Sequence, residues 1–189
     1  MKLNQFDRLT QTLIGPVLGS GGFSYDRGTF FRELDVGIRH VVSLDFDMRG
    51  KKTYRVIVGF HSPLLPQGRS PSDDGVFGVR YLAGGGLRLS PANFPCFTEE
   101  AARASLLDVA AALRNLVVPW FDEVRSLGDL AEITEEHFPF FKGKLFLLAG
   151  NRQSAKHYLS IHLTTLSAQP PTQDTRRAID QTRELIEQC

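Results

Sequence analysis

The sequence predicts an α+β chain: an N-terminal helix packed on an antiparallel meander sheet of four to five strands, followed by a helical C-terminal part. Three observations predict it. Apolar residues recur at helical spacing up to Val17, alternate with polar ones from Phe23 to Leu89, and return to helical spacing after Pro91. With 189 residues, 42% of them hydrophobic and 23% charged, the chain can build one core without a disulfide or metal staple. A division into 1–98, helix plus sheet, and 99–189, helices packed on it, follows from the change of period.

Leu3, Phe6, Leu9, Leu13, Ile14 and Val17 bury one face of a helix over 3–18. Gly15-Pro16 must interrupt it, because proline brings no amide hydrogen and crowds the preceding turn. Thr29–Leu34, Ile38–Met48 and Thr53–Phe60 read as strands, joined by turns at Asp35-Val36-Gly37 and Arg49-Gly50-Lys51. In the second of these strands Ile38, His40, Val42, Leu44 and Phe46 share one face. Arg39, Val41, Ser43, Asp45 and Asp47 share the other, which is left open to solvent or to a partner. The Pro- and Ser-rich stretch 61–75 reads as a long loop. Gly75–Leu82 and Leu87–Leu89 read as further strands. Thr98 caps a helix opening with Glu99 and Glu100, Pro119 starts another, and Asp129 with Glu132 gives a capping pattern for a third. A helical pair over 144–149 and 154–166 and a last helix after Pro170-Pro171 complete the chain.

Composition excludes several classes. A net charge of +1 leaves no global polycation for nucleic acid or an anionic membrane. No apolar run approaches the ~20 residues of a membrane span, and the first residues lack a signal-peptide core, so a cytoplasmic protein is expected. Two cysteines, Cys96 and Cys189, make neither a disulfide scaffold nor a cysteine-only zinc site. Nucleophile elbows, C-x-x-C, H-E-x-x-H and the phosphate loop are all missing, so no catalytic, cofactor or metal residue is assigned. Asp45-Phe46-Asp47 has the spacing of a metal-binding acidic strand and resembles that of nucleotidyltransferases. The preceding Gly19-Ser20 is separated from Asp45 by 24 residues that themselves read as a strand, unlike the short helical spacer of those enzymes. Neighbouring arginines, Arg39, Arg55 or Arg49, are the expected partners of these carboxylates.

Charge is uneven along the chain. Residues 99–141 carry nine acidic against three basic side chains, Glu132, Glu135 and Glu136 among them. Such a segment is either a solvated helix surface or a patch for a basic protein partner. Candidate partner contacts are therefore Glu132, Glu135 and Glu136, with Arg39, Asp45, Asp47 and Arg55 of the open strand face and His61 at the loop start.

The order of Gly21-Gly22-Phe23, Gly28-Thr29-Phe30-Phe31-Arg32, His40-Val41-Val42-Ser43-Leu44-Asp45 and Tyr54-Arg55-Val56-Ile57-Val58-Gly59-Phe60 resembles the bacterial family known as domain of unknown function 4304. The resemblance covers residues 3–60 and extends loosely to 127. Asp45 stands about where that family often has a glutamine. It implies a small α+β domain of the sort found beside toxin loci as immunity proteins. The first expectation is thus a non-enzymatic protein-binding module, an immunity-type neutraliser in particular. The alternatives are a metal-dependent nucleotide or phosphate enzyme using Asp45 and Asp47, and a small-molecule binder with a pocket between sheet and helices. The oligomeric state is not legible.

Overall fold

A computed structural model gives the architecture, and it describes residues 2–26, 28–47, 52–62, 64–65, 77–83, 86–90 and 92–189. Helix α1 (Leu3–Leu13) is amphipathic and buries Phe6, Leu9 and Thr10. The chain breaks at Ile14, and α2 (Gly15–Gly19) carries Pro16 in its first turn, where a missing amide hydrogen costs nothing. Six strands follow as a meander: β1 (Ser24–Asp26), β2 (Thr29–Leu34), β3 (Ile38–Phe46), β4 (Thr53–His61), β5 (Phe77–Ala83) and β6 (Gly86–Arg88). A seventh, β7 (Phe94–Pro95), pairs with the start of β4. All pairings are antiparallel.

The α+β class and the open antiparallel sheet are as the sequence predicts, but the sheet has seven strands rather than four or five. β1 and β7, three and two residues long, are too short for a readable alternation, and each exists by pairing with a longer neighbour. At the β2–β3 turn Gly37 takes φ +77°, a conformation that suits glycine. A β-carbon there would also lie 2.8 Å from Leu64 Cδ1. Beyond Leu65, the loop read over 61–75 lies outside the described residues, as does the Arg49-Gly50-Lys51 turn.

The C-terminal half opens with α3 (Glu99–Ala112), capped by the Thr98 hydroxyl, which accepts from the Ala101 amide at 3.1 Å. It continues through a π turn, Leu113–Val117, into α4 (Val118–Asp122). Pro119 explains that turn: it has no amide hydrogen to return to the Asn115 carbonyl, so the ladder widens just before it. The run Glu99–Asp122 is apolar and long enough by composition to cross a membrane, but its apolar side is committed. Ala102, Leu106, Val109, Leu113, Val117 and Phe121 are fully buried in the core.

α5 (Leu127–Ile133), α6 (Pro139–Leu148), α7 (Arg152–Ser167) and α8 (Gln173–Glu187) complete the chain. The cap of α5 is Ser126, whose hydroxyl accepts from the Asp129 amide while Asp129 accepts from the Ser126 amide. Asp129 therefore stands at the third helical position instead of the cap read from the sequence. His137 lies in the turn between α5 and α6. α6 and α7 approach closely at Gly143, where a β-carbon would meet Leu159 at 2.8 Å.

One buried cluster runs through both halves of the chain, from Phe6 of α1 to Ala155 of α7. The residues expected to share a core do so: Leu9, Phe30, Val42, Leu44, Val56 and Val58 are buried in it, with Leu13 and Phe46 packed against its edge. Leu44 is 5% exposed. Leu44→Ala removes three buried carbons and leaves a cavity, so denaturant unfolding of the variant is expected to show a loss of about 2–5 kcal/mol. An unchanged midpoint would mean that the two faces of β3 are exchanged.

Candidate functional site

Alternation along β3 and β4 divides the sheet into an inner and an outer face. On the inner face Val42, Leu44, Tyr54, Val56, Val58 and Phe60 are buried. Helix contacts gather there. The Phe6 ring of α1 packs 5.1 Å from Phe46 and 4.8 Å from Tyr54, and the Tyr54 hydroxyl donates to Ser105 Oγ of α3 at 3.1 Å. Phe121 of α4 meets Phe60 at 5.3 Å.

A polar network lies in the middle of this apolar packing. His40 is 1% exposed and stacks on the Phe121 ring at 4.7 Å, nearly parallel. Arg32 donates to His40 Nδ1 from Nε at 3.2 Å and from Nη2 at 3.0 Å, to the Gly21 carbonyl at 3.1 Å, and to Asp122 Oδ1 at 2.7 Å. A guanidinium only donates, so Nδ1 is the acceptor and Nε2 carries the proton, which it donates to the Val124 carbonyl at 3.3 Å. Burial, reinforced by the Arg32 charge, pushes His40 down to about 4. Its place on the inner strand face is the one the sequence predicts. Its partners were not readable, since Asp122 lies 90 positions from Arg32.

On the outer face the helix-to-strand hydrogen bonds and ring contacts of the described residues have no counterpart. Pairing carries Thr29 of β2 through Ser43 and Ile57 to Tyr81 of β5 in one row. The adjacent row is Phe31, Val41 and Gly59. Phe31, Val41, Ile57 and Tyr81 are half-buried, an apolar centre on a face against which no described helix packs. Charges flank it. Arg39 pairs with Glu33 and lays its guanidinium 5.2 Å over the Phe31 ring, and Arg55 pairs with Asp45. Both ion pairs are at the solvent surface, with side chains 40–61% exposed.

The residues singled out from the sequence separate into two groups. Arg39, Asp45 and Arg55 lie together on the outer face, and the Asp45–Arg55 partnership is the one expected of a structural carboxylate. Asp47 follows the end of β3, its amide donating to the Thr53 carbonyl at 2.9 Å, and His61 ends β4 opposite Arg39 and is buried. Glu132, Glu135 and Glu136 belong to the helical part, on and just after α5. Glu132 is exposed, whereas Glu135 accepts from Arg80 of β5 at 3.3 Å and Glu136 from Lys142 at 2.7 Å. Asp122 and Asp129 are also engaged, by Arg32 and by the α5 cap. The acidic excess of 99–141 is thus partly matched from other elements. Lys142 is nearly buried, donates also to the Thr134 carbonyl at 3.0 Å and lies 4.9 Å over the Tyr158 ring. Burial disfavours its charge, but the Glu136 carboxylate outweighs that and holds it above the ordinary lysine range.

Two chemical alternatives meet the following geometry. Among the described residues no three His, Cys, Asp or Glu side chains are grouped closely enough to hold a metal ion. A groove of about 670 Å³ opens between the end of α6, the start of α7 and the end of α8, lined by Lys144, Leu147, Leu148, Arg152 and Leu185. It is remote from the strands, unlike the pocket between sheet and helices that the sequence suggested. Cys96 is buried, which pushes its thiol up to about 11.

Two measurements follow from these contacts. His40 binds its proton more weakly folded than unfolded, so its contribution is complete above pH 6.5 and is lost as pH falls toward 4. At about 1.4 kcal/mol per pKa unit, that is on the order of 3 kcal/mol. The stability gap between wild type and His40→Phe should therefore narrow over that window in urea titrations, and a pH-independent gap would refute the assignment. Asp45→Asn breaks only an exposed pair and should cost under about 1 kcal/mol. A larger loss would give Asp45 a structural weight that its exposure does not.

No protein-family model matches the chain, and no curated protein or solved structure is significantly similar to it.

Proposed function

We propose that the chain is a non-enzymatic protein-binding module whose contact surface is the outer face of the sheet. The observation that carries this reading is the half-buried apolar centre formed by Phe31, Val41, Ile57 and Tyr81, which no helix of the described residues covers, flanked by the Arg39–Glu33 and Arg55–Asp45 pairs. Antiparallel sheets with one solvated face usually carry polar residues there. An apolar centre inside a charged border is the composition of a protein interface. Strands joined by direct pairing also hold such a surface rigid, so little ordering entropy is lost on binding.

The helical shell supports a contact less well. Its unengaged acids, Glu99, Glu100, Asp108, Glu123 and Glu132, are interspersed with Arg103, Arg114 and Arg125, so their fields do not add into one patch. A basic partner reached through Glu132 belongs to this proposal only as a rim contribution. The resemblance of residues 3–60 to domain of unknown function 4304 belongs to it too, and gives the biological form: a cytoplasmic bacterial neutraliser that covers part of a toxin.

Site-specific photo-crosslinking in the producing cell tests the reading. A benzophenone side chain at Ile57 is expected to give one discrete protein adduct, and the same group at Leu107, 52% exposed on α3, is expected to give none. No adduct from Ile57, or the same adduct from both positions, would count against the sheet face as the contact surface.

A further inference from the structure

We propose that the partner of the outer face is a second copy of this chain, packed face to face about a two-fold axis that runs along the Phe30–Val42–Val58 row. The proposal rests on the reading of this face as a protein-binding surface and deepens it. Pairing places Phe30 beside Val42 and Val42 beside Val58, so the centres of three strands share one row. Outer residues lie symmetrically on either side of that row: Thr29 and Phe31 on β2, Arg39, Val41, Ser43 and Asp45 on β3, Arg55, Ile57, Gly59 and His61 on β4.

Rotation by 180° about this row turns one face over onto the other and exchanges the two ends of each strand. Arg39 of one copy then falls over Asp45 of the other, and the symmetry repeats that contact. Ile57 falls over Gly59, a side chain over the one central position that has none. Phe31 falls over Thr29, and Val41 over Ser43. Arg55 falls over His61 at the other end of β4. Charges at opposite ends of β3 are therefore complementary to a reversed copy of the same strand. A partner of one charge sign would find Arg39 and Glu33, or Asp45 and Arg55, equally opposed to it. The whole chain carries only +1, so two copies do not repel at long range. Face-to-face sheets of this kind pack with strands within about 30° of alignment, which keeps the β3 ends over each other.

Charge exchange tests this register. Sedimentation equilibrium should find a wild-type dimer that Arg39→Asp and Asp45→Arg each weaken by at least about tenfold, because each now opposes like charges. The double variant Arg39→Asp/Asp45→Arg should recover dimerisation, since the exchange restores both contacts. Ile57→Glu, which touches neither ion pair within the chain, should also give monomer, with far-ultraviolet circular dichroism confirming the fold. A monomeric wild type, dimeric single variants, or a double variant as weak as the singles would overturn the proposal. The mass of the Ile57 photo-adduct separates the two readings. An adduct with a different protein removes the second copy but keeps the binding face, and no adduct removes both.

Discussion

β3 and β4 pair residue for residue from Arg39 opposite His61 to Phe46 opposite Tyr54, and burial alternates along most of the shared ladder. Side chains on a strand have a period of two, so a one-residue slip in this ladder would send Val42, Leu44, Val56 and Val58 to the solvent side together. That penalty fixes the register. Once fixed, it leaves one face for every helix that must bury an apolar stripe, and α1, α3 and α4 all pack there. Among the described residues the sheet thus carries helices on one side, and the half-buried Phe31, Val41, Ile57 and Tyr81 lie at the centre of the other.

The polar groups around Arg32 are tolerated inside the layer because their hydrogen bonds are completed. Arg32 places its donors on the Gly21 carbonyl, His40 and Asp122, which ties the turn after α2, two strands and the end of α4 to one side chain. Removing the His40 acceptor would leave the largely buried Arg32 Nε short of a partner, a cost of about 1–3 kcal/mol, more when the group is charged. His40 is the sensitive member, because protonation at Nδ1 would turn its acceptor toward a cation. Lys142 solves the same problem in the helical part, with Thr134, Glu136 and the Tyr158 ring around one ammonium.

Strand alternation made much of this legible in the sequence. Val42, Leu44, Val56 and Val58 could be placed in the core, and Arg39, Asp45 and Arg55 together on the other face, from a period of two alone. Glycine and proline marked the break at Gly15-Pro16 and the turn at Gly37 correctly, because their constraint is local. What escaped was non-local. β1 and β7 are too short to show a period and owe their existence to β2 and β4. The π turn depends on how α3 runs on into α4 across Pro119. Ser126 caps α5 ahead of an Asp129 that looks equally suited. Counting charges over 99–141 missed that Arg80, Lys142 and Arg32 come from outside the segment to meet Glu135, Glu136 and Asp122. The apolar centre of the outer face was within reach, since the same alternation that buries Phe30 and Val42 turns Phe31 and Val41 outward.

The claim on which the functional account depends is that no part of the chain itself covers the outer face. Hydroxyl-radical footprinting with residue-level mass spectrometry, run from dilute to concentrated protein, reads this directly. The account predicts that Phe31 and Tyr81 are oxidised readily in dilute solution and become protected with concentration, while Phe30 and Tyr54 stay protected throughout. Phe31 as protected as Phe30 at every dilution would show that the chain covers its own face, and would contradict the account.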